Sequence, residues 1–267
     1  MRIRFSEISF SRIFNGFIRR IMSVPDKFLW AYSSTAKKNK KKIKLFKNSH
    51  YGEKCYLVAN GPSLKKMDLG FLDNNISFGL NRIYLAYDSM NFTNDYLVSI
   101  NNLVLTQFNH EIKTLQIPKF LNWKNRSLFK NCDDVFFINK SFFGSSFGKE
   151  IDVSLNPSAT VTYAALQIIY YMGFSEVIII GLDHNFITKT NNSPNKTELR
   201  TENVDVNHFH PNYFPKGSKW ETPDLVSSEY FYRIAKNEFD KAGRKIVDCT
   251  VNGKCVVFEK GSLENFI

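Results

Sequence analysis

Residues 58–64, Val-Ala-Asn-Gly-Pro-Ser-Leu, decide the fold of this chain. They continue a short apolar run from Cys55 that is typical of a buried β-strand. The strand ends at turn-forming residues, and Gly61 allows the backbone to come close to a ligand. Ser63 is able to cap a following helix, whose N-terminus attracts phosphate. The stretch therefore predicts the first strand-to-helix turn of an open α/β sheet, where such sheets bind nucleotides.

After Lys54 the chain alternates between predicted strands and predicted helices. The predicted strands are Cys55–Ala59, Ile76–Leu80, Tyr96–Ile100, Val135–Ile138, Val177–Ile180, Lys245–Val247 and Val256–Phe258. One predicted helix follows Pro62, and two others cover Ser158–Met172 and Leu225–Ala242. Because the strand before Gly181 is entirely apolar and comes directly after a helix, we expect a mostly parallel sheet with helices on both faces. The predicted fold class is therefore α/β, with a Rossmann-like sheet.

The composition is that of a globular protein with an anionic partner. The chain has 267 residues, of which 43% are hydrophobic, which is enough to form one large α/β domain or two small ones. Lys and Arg total 36 against 25 acidic residues, for a formal charge of +11. The four cysteines show no CxxC pairing and are typical of reduced cytosolic thiols. The sequence has no apolar run that would cross a bilayer and no signal-peptide core.

Much of the positive charge lies in residues 1–53. Apolar residues recur there at helical spacing: Phe10, Ile13, Phe14, Phe17 and Ile21. A lysine-rich run follows at residues 37–44. A basic amphipathic segment suits an anionic membrane surface, so we expect residues 1–45 to hold a cytoplasmic protein on the inner face of the cell membrane. The alternative is a helix packed on the domain and a solvated charge run. Nucleic acid is not an expected partner, because the lysines lack a reader motif.

A polar, turn-rich stretch at residues 187–203 follows the strand that ends at Gly181. A long loop inside a compact domain often serves as an active-site lid, so we predict a mobile lid around residues 184–222. This lid contains His208 and His210, which would point to one side of an extended segment. Either histidine is suited to act as a general base near neutral pH.

Other patterns limit the chemistry. Asp183 stands at the carboxyl end of a central predicted strand, where it would bind a ligand or cap a turn. A metal could be held by Asp183, His184, His208 and His210, but their spacing matches no standard zinc pattern, and we predict no metal site. The sequence lacks the motifs GxxxxGK[ST], GxGxxG and GxSxG, which disfavours Walker-type, dinucleotide-binding and serine-hydrolase chemistry.

The order of the motifs resembles a known family. They are the Asn60 turn, Asn81, Asn101, Ser158-Ala-Thr160, Gly181-Leu-Asp183 and a late His208. This set resembles the bacterial sialyltransferases of the Campylobacter type, and also the broader group related to archaeal 6-hydroxymethylpterin pyrophosphokinase. Residues 208–214 and the tail at residues 243–253 resemble the second group more closely. Its bacterial members often lie in surface-polysaccharide and flagellin-glycosylation systems. The resemblance covers roughly residues 54–258.

The sialyltransferase resemblance implies a CMP-sugar donor, no cofactor and no metal requirement. It assigns Asn60, Gly61 and Ser63 to the donor phosphate and ribose, and Asn81 and Asn101 to the nucleotide and sugar. It implies that Thr160 or Ser158 holds the donor carboxylate or phosphate. It also implies that His208 deprotonates the acceptor hydroxyl. The nucleotide pocket would be completed by Thr250, Asn252 and Gly253.

One departure from the sialyltransferases concerns the leaving phosphate. Those enzymes bind it through tyrosines in and after the segment that follows the Gly-x-Asp strand. Here that segment is His184-Asn185-Phe186, and the next tyrosine is Tyr213. We predict that Tyr213 or His184 takes this role, and another sugar nucleotide stays open as donor.

These inferences predict an N-terminal basic segment, residues 1–53, and a catalytic domain, residues 54–267. The predicted function is an inverting glycosyltransferase of surface-polysaccharide or lipopolysaccharide biosynthesis, with catalytic His208, Asp183 and Tyr213. Its partners would be a nucleotide sugar and a glycan or lipid-linked acceptor, and the oligomeric state stays open. Two alternatives are an ATP-dependent pyrophosphokinase of the 6-hydroxymethylpterin type and a degenerate nucleotide-binding protein.

Overall fold

The structure, a computed structural model, describes residues 24–141, 146–156, 160–186 and 196–267. Eight strands form a sheet in the order β10-β9-β6-β1-β2-β3-β4-β5, in which every pairing is parallel. They are β1 (Lys54–Val58), β2 (Ser77–Leu80), β3 (Tyr96–Ser99), β4 (Lys119–Asn122), β5 (Val135–Ile138), β6 (Glu176–Ile180), β9 (Lys245–Asp248) and β10 (Glu259–Lys260). A separate antiparallel pair consists of β7 (Thr197–Leu199) and β8 (Lys219–Glu221).

Helices precede β1 and connect the later strands. They are α1 (residues 24–32), α2 (Ser34–Lys44), α3 (Tyr87–Met90), α4 (Asn102–Gln107), α5 (Asn109–Thr114), α6 (Val161–Met172) and α7 (Leu225–Lys241). Short 3₁₀ helices cover Pro62–Lys66, Gly70–Asn74, Ile83–Ala86, Trp123–Phe129 and Leu263–Asn265. The predicted α/β fold with a parallel, Rossmann-like sheet is confirmed.

The chain reverses its direction across the sheet between β1 and β6. Strands β1 to β5 progress to one side, and the chain then returns to place β6 against the other side of β1. In an open parallel sheet, such a switch point leaves a crevice at the carboxyl ends of the two strands. The crevice here lies beside the turn that follows β1.

Strand β4 and the last strand differ from the sequence prediction. The β4 segment contains Lys119, which is fully buried and bonds to Asp134 and to the carbonyls of Leu115 and Ile117. A charged residue in a short central strand hides its apolar pattern, and the strand was therefore not predicted. The prediction of a strand at Val256–Phe258 is wrong, because the last strand is Glu259–Lys260.

Residues 24–53 pack on the edge of the sheet. The Asn39 side chain of α2 donates to the Phe137 carbonyl at 2.7 Å and accepts from the Phe137 amide at 2.8 Å. It thereby occupies backbone groups of edge strand β5 that another strand would otherwise pair with. Trp30 of α1 is buried against Trp123 and donates to the Val153 carbonyl at 2.8 Å.

Other predictions for the N-terminal region and the lid fall partly outside the described residues. The helical pattern from Phe10 to Ile21 lies outside them, and the division of the chain at residue 53 stays a prediction. In the lid, residues 187–195 lie outside, and the described remainder includes β7 and β8. No helix of the described ranges has the length and apolar character needed to cross a membrane.

Candidate active site

A cleft of about 340 Å³ opens at the carboxyl ends of the central strands. Its floor includes the turn after β1 and the residues that follow β2, β3 and β6, and the segment before α7 forms a wall. Several predicted site residues line it together: Asn60, Gly61, Asn81, Asn101, Thr160, Asp183, His208 and Tyr213. The cleft lies at the switch point, where parallel sheets bind ligands.

The turns after β1 and β6 are held together by their glycines. The amide of Gly61 donates to the carbonyl of Gly181 at 2.8 Å. A Cβ atom on Gly61 would lie 1.8 Å from the nearer Asp183 carboxylate oxygen, so no larger residue fits there without a shift. Gly181 has φ +72°, a left-handed conformation that favours glycine. We call residues 60–63 and 181–183 the turn wall of the cleft.

Asp183 and Ser63, two predicted site residues, bind each other within the turn wall. The Ser63 hydroxyl donates to Asp183 Oδ2 at 2.5 Å, and the Ser63 amide donates to Oδ1 at 3.1 Å. Asp183 thus accepts bonds from the first turn of the 3₁₀ helix Pro62–Lys66, which is the turn-capping alternative raised from the sequence. The pair fixes the shape of the turn. Ser63 is buried and does not line the cleft.

Asn60 presents an unused acceptor at the same place. Its Oδ1 atom is buried and has no hydrogen-bond partner among the described residues. Its main-chain carbonyl accepts from the Phe209 amide at 3.0 Å, which ties the turn to the segment that carries His208. A buried acceptor without a partner costs free energy, so Asn60 is suited to receive a ligand donor such as a ribose hydroxyl.

Asn81 and Asn101 are partly engaged by the fold. Asn81 ends β2 in the left-handed conformation, with φ +49°, and its Oδ1 accepts from the Ser99 hydroxyl at 3.0 Å. Asn101 caps α4, because its Oδ1 accepts from the Leu103 amide at 2.8 Å. Both oxygens are therefore in use. The Asn81 side chain also bonds to the Tyr213 phenol, so the Asn101 amide is the group left to bind a ligand.

His208 forms a pair with a buried carboxylate. Its Nδ1 lies 2.9 Å from Asp205 Oδ2, and the Asp205 side chain is fully enclosed. Its ring stacks on Tyr213, with centroids 3.9 Å apart and planes 5° from parallel. The Nε2 atom has no hydrogen-bond partner among the described residues. A carboxylate on Nδ1 sets the tautomer that leaves Nε2 free to accept a proton.

Several groups act on the charge of Asp205. Burial by itself would raise the pKa of Asp205, but the bonds from His208 and the Asn207 amide, with the charge of Arg200, outweigh it and hold the pKa below its ordinary value. Asp205 is therefore ionised at neutral pH. An ionised carboxylate stabilises the protonated imidazole that a base would become.

Tyr213 is part of the support of His208. It is buried, and burial raises the pKa of its phenol far above the ordinary value. Arg82 fixes this segment, since its guanidinium donates to the carbonyls of Tyr213 and Asn212, the latter at 3.1 Å. The same guanidinium bonds to Glu111 at 2.8 Å. Arg82 belongs to no sequence motif, so its role in holding this segment could not be predicted from the sequence.

The expectation that His208 and His210 point to one side is wrong. The segment is a series of turns, in which the Asp205 amide donates to the Pro211 carbonyl at 2.7 Å and the Tyr213 amide to the His210 carbonyl at 3.0 Å. His210 lies in a separate surface pocket with Lys65. Burial lowers the pKa of His210, as do Arg82 and Lys65.

Of the remaining predicted binding residues, Thr160 lines the cleft and Thr250 supports one of its strand ends. Thr160 caps α6, and its hydroxyl lies 3.2 Å from that of Tyr232. Thr250 accepts from the Leu182 amide at 2.9 Å and so supports the strand end. Thr250, Asn252 and Gly253 do not line the cleft. Ser158 lies outside the described residues.

His184, the other candidate for the leaving phosphate, lies beside a carboxylate. Its Nε2 is 3.3 Å from Glu229 of α7, and burial lowers its pKa although Glu229 opposes the change. No cluster of three or more histidine, cysteine or carboxylate side chains suited to a metal occurs in the described ranges. Asp183, His184 and His208 line the same cleft, and His210 lies in another pocket.

The geometry of the cleft combines an anion-compatible turn with an oriented base. Sequence reasoning did not identify several further lining residues, namely Lys140, Trp220, Glu221 and Asp224. Trp220 and Glu221 belong to β8, a short strand in a polar region with no alternating pattern. The arrangement is able to bind a phosphorylated ligand at the turn wall and to remove a proton beside it.

Comparisons with known proteins agree with this fold. The family model described as 6-hydroxymethylpterin diphosphokinase MptE-like matches residues 31–189. A solved structure, the MAf glycosyltransferase from Magnetospirillum magneticum AMB-1, is similar with a TM-score of 0.51 and 14% identity. The match covers 86% of this chain but 38% of that one, and at this identity it shows the fold alone. No curated protein matches the sequence.

The predicted resemblance to the pyrophosphokinase-related group is therefore confirmed, whereas the sialyltransferase resemblance stays a prediction. The family match extends from α2 across β1 to β6 and includes both segments of the turn wall. It covers more than half of the chain. This protein belongs to the MptE-like family.

Proposed function

We propose that the protein is an inverting glycosyltransferase that uses a nucleotide-sugar donor, CMP-linked in the first instance, and His208 as its base. The observation that carries the proposal is the Asp205–His208 pair, which lies in the same cleft as the turn wall. A histidine held by a buried carboxylate beside a phosphate-compatible turn suits the removal of a proton next to a phosphorylated donor. The fold shared with the MAf glycosyltransferase supports the same class.

The chemistry is a single displacement. His208 Nε2 accepts the proton of an acceptor hydroxyl, and the oxygen forms a bond to the anomeric carbon of the donor. The bond between that carbon and the phosphate oxygen breaks, and its electron pair leaves with the nucleotide. Attack from the opposite face inverts the configuration. The Asn60 side chain and the side-chain amide of Asn101 would hold the nucleotide, without a metal ion.

Asp183 has a positioning role in this scheme rather than a chemical one. Its two oxygens already accept bonds from Ser63, and it shapes the turn that the donor would contact. Tyr213 stacks on the base and keeps the plane of its ring fixed. The catalytic assignment made from the sequence to Asp183, His208 and Tyr213 therefore becomes one proposed base with two supporting residues.

A second candidate is a Mg²⁺-dependent pyrophosphokinase, which the family description favours. Such a reaction needs carboxylates that hold the metal and the phosphates of ATP. Three carboxylates line the cleft, Asp183, Glu221 and Asp224, and Asp183 is engaged by Ser63. Transfer that is abolished by EDTA and restored by Mg²⁺, with AMP as product, would establish this candidate in place of the first.

Nucleotide identity tests the proposal. We would measure the thermal unfolding of the protein with CMP, CDP, UDP, GDP and ATP, each with and without Mg²⁺. A ligand at 100 times its Kd stabilises the native state by roughly 2.7 kcal/mol, which gives a measurable shift in Tm. We expect CMP to stabilise without Mg²⁺. Stabilisation by ATP and Mg²⁺ would favour the kinase, and no shift with any nucleotide would favour a degenerate site.

The proposal also places the enzyme at the inner face of the cell membrane, where surface polysaccharide or lipopolysaccharide acceptors are assembled. Two exposed aromatic residues of α1, Phe28 and Tyr32, have ring centroids 4.8 Å apart. The neighbouring α2 exposes a row of lysines, Lys37, Lys38, Lys41 and Lys44. Aromatic and basic groups on adjoining helices suit an anionic lipid surface.

Vesicle flotation tests this location. We expect the full chain to float with vesicles that contain phosphatidylglycerol and to stay behind with neutral vesicles. Replacement of Phe28 and Tyr32 by serine should weaken flotation, whereas Tyr51→Ser, at another exposed aromatic residue, should not. Equal flotation of both variants would show that Phe28 and Tyr32 of α1 do not contribute to membrane binding.

A further inference from the structure

Lys140 is a cleft residue to which the proposed reaction gives no role. It follows β5, and its backbone is fixed because the amides of Ser141 and Leu155 bond across a bridge to the carbonyls of Leu155 and Asn139, each at 2.8 Å. Its side chain lines the cleft. Its ammonium group makes no hydrogen bond or ion pair with any described residue. The side chain is only partly exposed, and its ammonium group therefore has water or a ligand in the cleft as its partner.

Charges of both signs act on Lys140. Burial is the main reason that its pKa is lowered to about 8; among the charges, Glu221 of β8 has the largest effect and raises the pKa, and Lys124 and Lys27 lower it. Lys27 of α1 donates to the Asn139 side chain at 3.1 Å, which keeps that lysine next to the Lys140 backbone. Three lysines thus stand against one carboxylate at the β5 end of the cleft, and Lys140 is protonated in most molecules at pH 7.

This charge is remote from the turn wall. Four strand spacings separate β1 from β5 in the sheet, and at about 4.8 Å each they place the two strand ends roughly 19 Å apart. A lysine side chain does not span that distance. The phosphate that the turn wall would hold is therefore not the group that Lys140 would meet, and the cleft offers two separate places for anions.

We propose that Lys140, with Lys27 and Lys124 behind it, forms a second oxyanion subsite that holds a phosphate or carboxylate group of the acceptor. An oxyanion supplies the partner that no described residue gives the ammonium, and a charge-assisted bond is stronger than a neutral one. The assignment of this oxyanion to the acceptor rests on the proposed function, whereas the binding of an oxyanion at Lys140 is independent of it.

Lysine NMR tests the subsite, with inorganic phosphate as the probe. The lysines of the full chain are labelled by reductive ¹³C-methylation, and Lys140→Met identifies the Lys140 signal by its loss. We expect the Lys140 signal to titrate near pH 8 and to move upward by one pH unit or more with saturating phosphate. Phosphate affinity at pH 7 should fall at least tenfold in Lys140→Met and be kept in Lys140→Arg and in the exposed-lysine control Lys130→Met. If saturating phosphate does not change the titration of the Lys140 signal, the subsite is overturned.

Competition separates the sources of the oxyanion. Saturating CMP should leave phosphate bound at Lys140 if the two places are distinct, whereas displacement by CMP would assign Lys140 to the donor and overturn the acceptor subsite. Glucose 6-phosphate and glucuronate then distinguish a phosphate from a carboxylate acceptor. If no nucleotide binds but phosphate still shifts the Lys140 signal, the proposed glycosyl transfer fails and the oxyanion subsite stands.

Discussion

The two sides of the cleft use their polar groups in opposite ways. On the turn wall, Ser63 and Asp183 bond to each other, and the glycines bring the two turns into contact. On the other side, which we call the loop wall (residues 205–214), Asp205 and Tyr213 surround His208 but leave Nε2 open. The difference indicates that the turn wall supplies shape and the Asn60 acceptor oxygen, whereas the loop wall supplies the reactive group. Substitutions on the loop wall should therefore lower the rate of the reaction, whereas substitutions on the turn wall should lower the stability of the fold.

The largest expected effect comes from His208→Ala on the loop wall. Loss of a general base typically lowers a rate by 10² to 10⁴, so we expect kcat to fall by about 10³. The Tm should fall as well, because the buried Asp205 carboxylate loses the histidine partner of one oxygen, so both proteins are assayed at a temperature at which they are folded. Single-turnover transfer measures the effect, and the exposed His110→Ala is the matched control. Full activity of purified His208→Ala would exclude this residue as the base.

Gly61→Ala should instead destabilise the fold and lose nucleotide binding for that reason. The new Cβ would lie 1.8 Å from Asp183 Oδ2 and 2.7 Å from the Gly181 carbonyl, so the two turns must separate. Overpacking of this kind costs about 3 kcal/mol, and urea unfolding should record it with loss of nucleotide binding. Gly70→Ala, which meets no atom closer than 3.4 Å, is the control.

A double-substitution cycle sharpens this result. Asp183→Ala removes the atom that the Gly61→Ala methyl group meets first. The combined variant should therefore lose less stability than the sum of the two single variants, by about 1 kcal/mol or more. Strict additivity would show that the clash is relieved elsewhere, and that the contact between the two turns does not limit the residue at position 61.

The turn wall could be predicted from sequence because its signals are local. A glycine between an apolar run and a proline, and a Gly-Leu-Asp after another apolar run, each indicate a strand end without reference to distant residues. The parallel order of the sheet then brings the two ends together. The same reasoning placed Asn60, Gly61 and Asp183 at strand ends where ligands bind, but it did not show that Asp183 would be used by Ser63.

The loop wall could be predicted only in part, because its geometry depends on turns and on contacts across the molecule. His208 was identified from its residue type, but the extended backbone assumed for it was wrong, and His210 lies in another pocket. Arg82, which holds the segment, precedes it by more than 120 residues. Lys140 has no motif, and what distinguishes it is its lack of a partner in the folded chain.

Asp205→Asn tests whether the carboxylate sets the state of the base. An asparagine amide would donate to Nδ1 and place the ring proton on Nε2, where it blocks proton acceptance. We expect kcat to fall roughly 10²-fold with KM nearly unchanged. A pH–rate profile distinguishes this role from a structural one, because the variant should lose the rise in rate that accompanies formation of the neutral base.

The stability of Asp205→Asn provides a second readout with a defined sign. The native pKa of Asp205 lies below its ordinary value of 3.8, so the carboxylate stabilises the fold fully above that pH. This contribution is lost as the pH falls through the native pKa. The difference in Tm between the wild type and the variant should therefore be constant above about pH 5 and shrink in acid. A constant difference down to pH 3 would contradict the pairing.

Lys140→Met should have the smallest effect, and it should be a gain. The native pKa of Lys140, about 8, lies below its ordinary value of 10.5, so the native state is weakened as the pH falls from 10.5 through 8. Such a shift corresponds to about 3 kcal/mol at pH 7, and solvent at this partly exposed side chain reduces it. Removal of the charge should therefore raise the free energy of unfolding by about 1 kcal/mol at pH 7, a Tm shift of roughly 2–4 °C, and have no effect above pH 10.5. The control is Lys130→Met.

A loss of stability in Lys140→Met would mean that the ammonium supports the fold, which would place it with the structural groups of the turn wall. A gain means that the chain retains a charge that weakens its native state. Residues that a fold keeps at such a cost are typical of functional sites, where a group must stay available for a ligand. Lys140 would then belong with His208, since both hold a polar atom that no other part of the described chain uses.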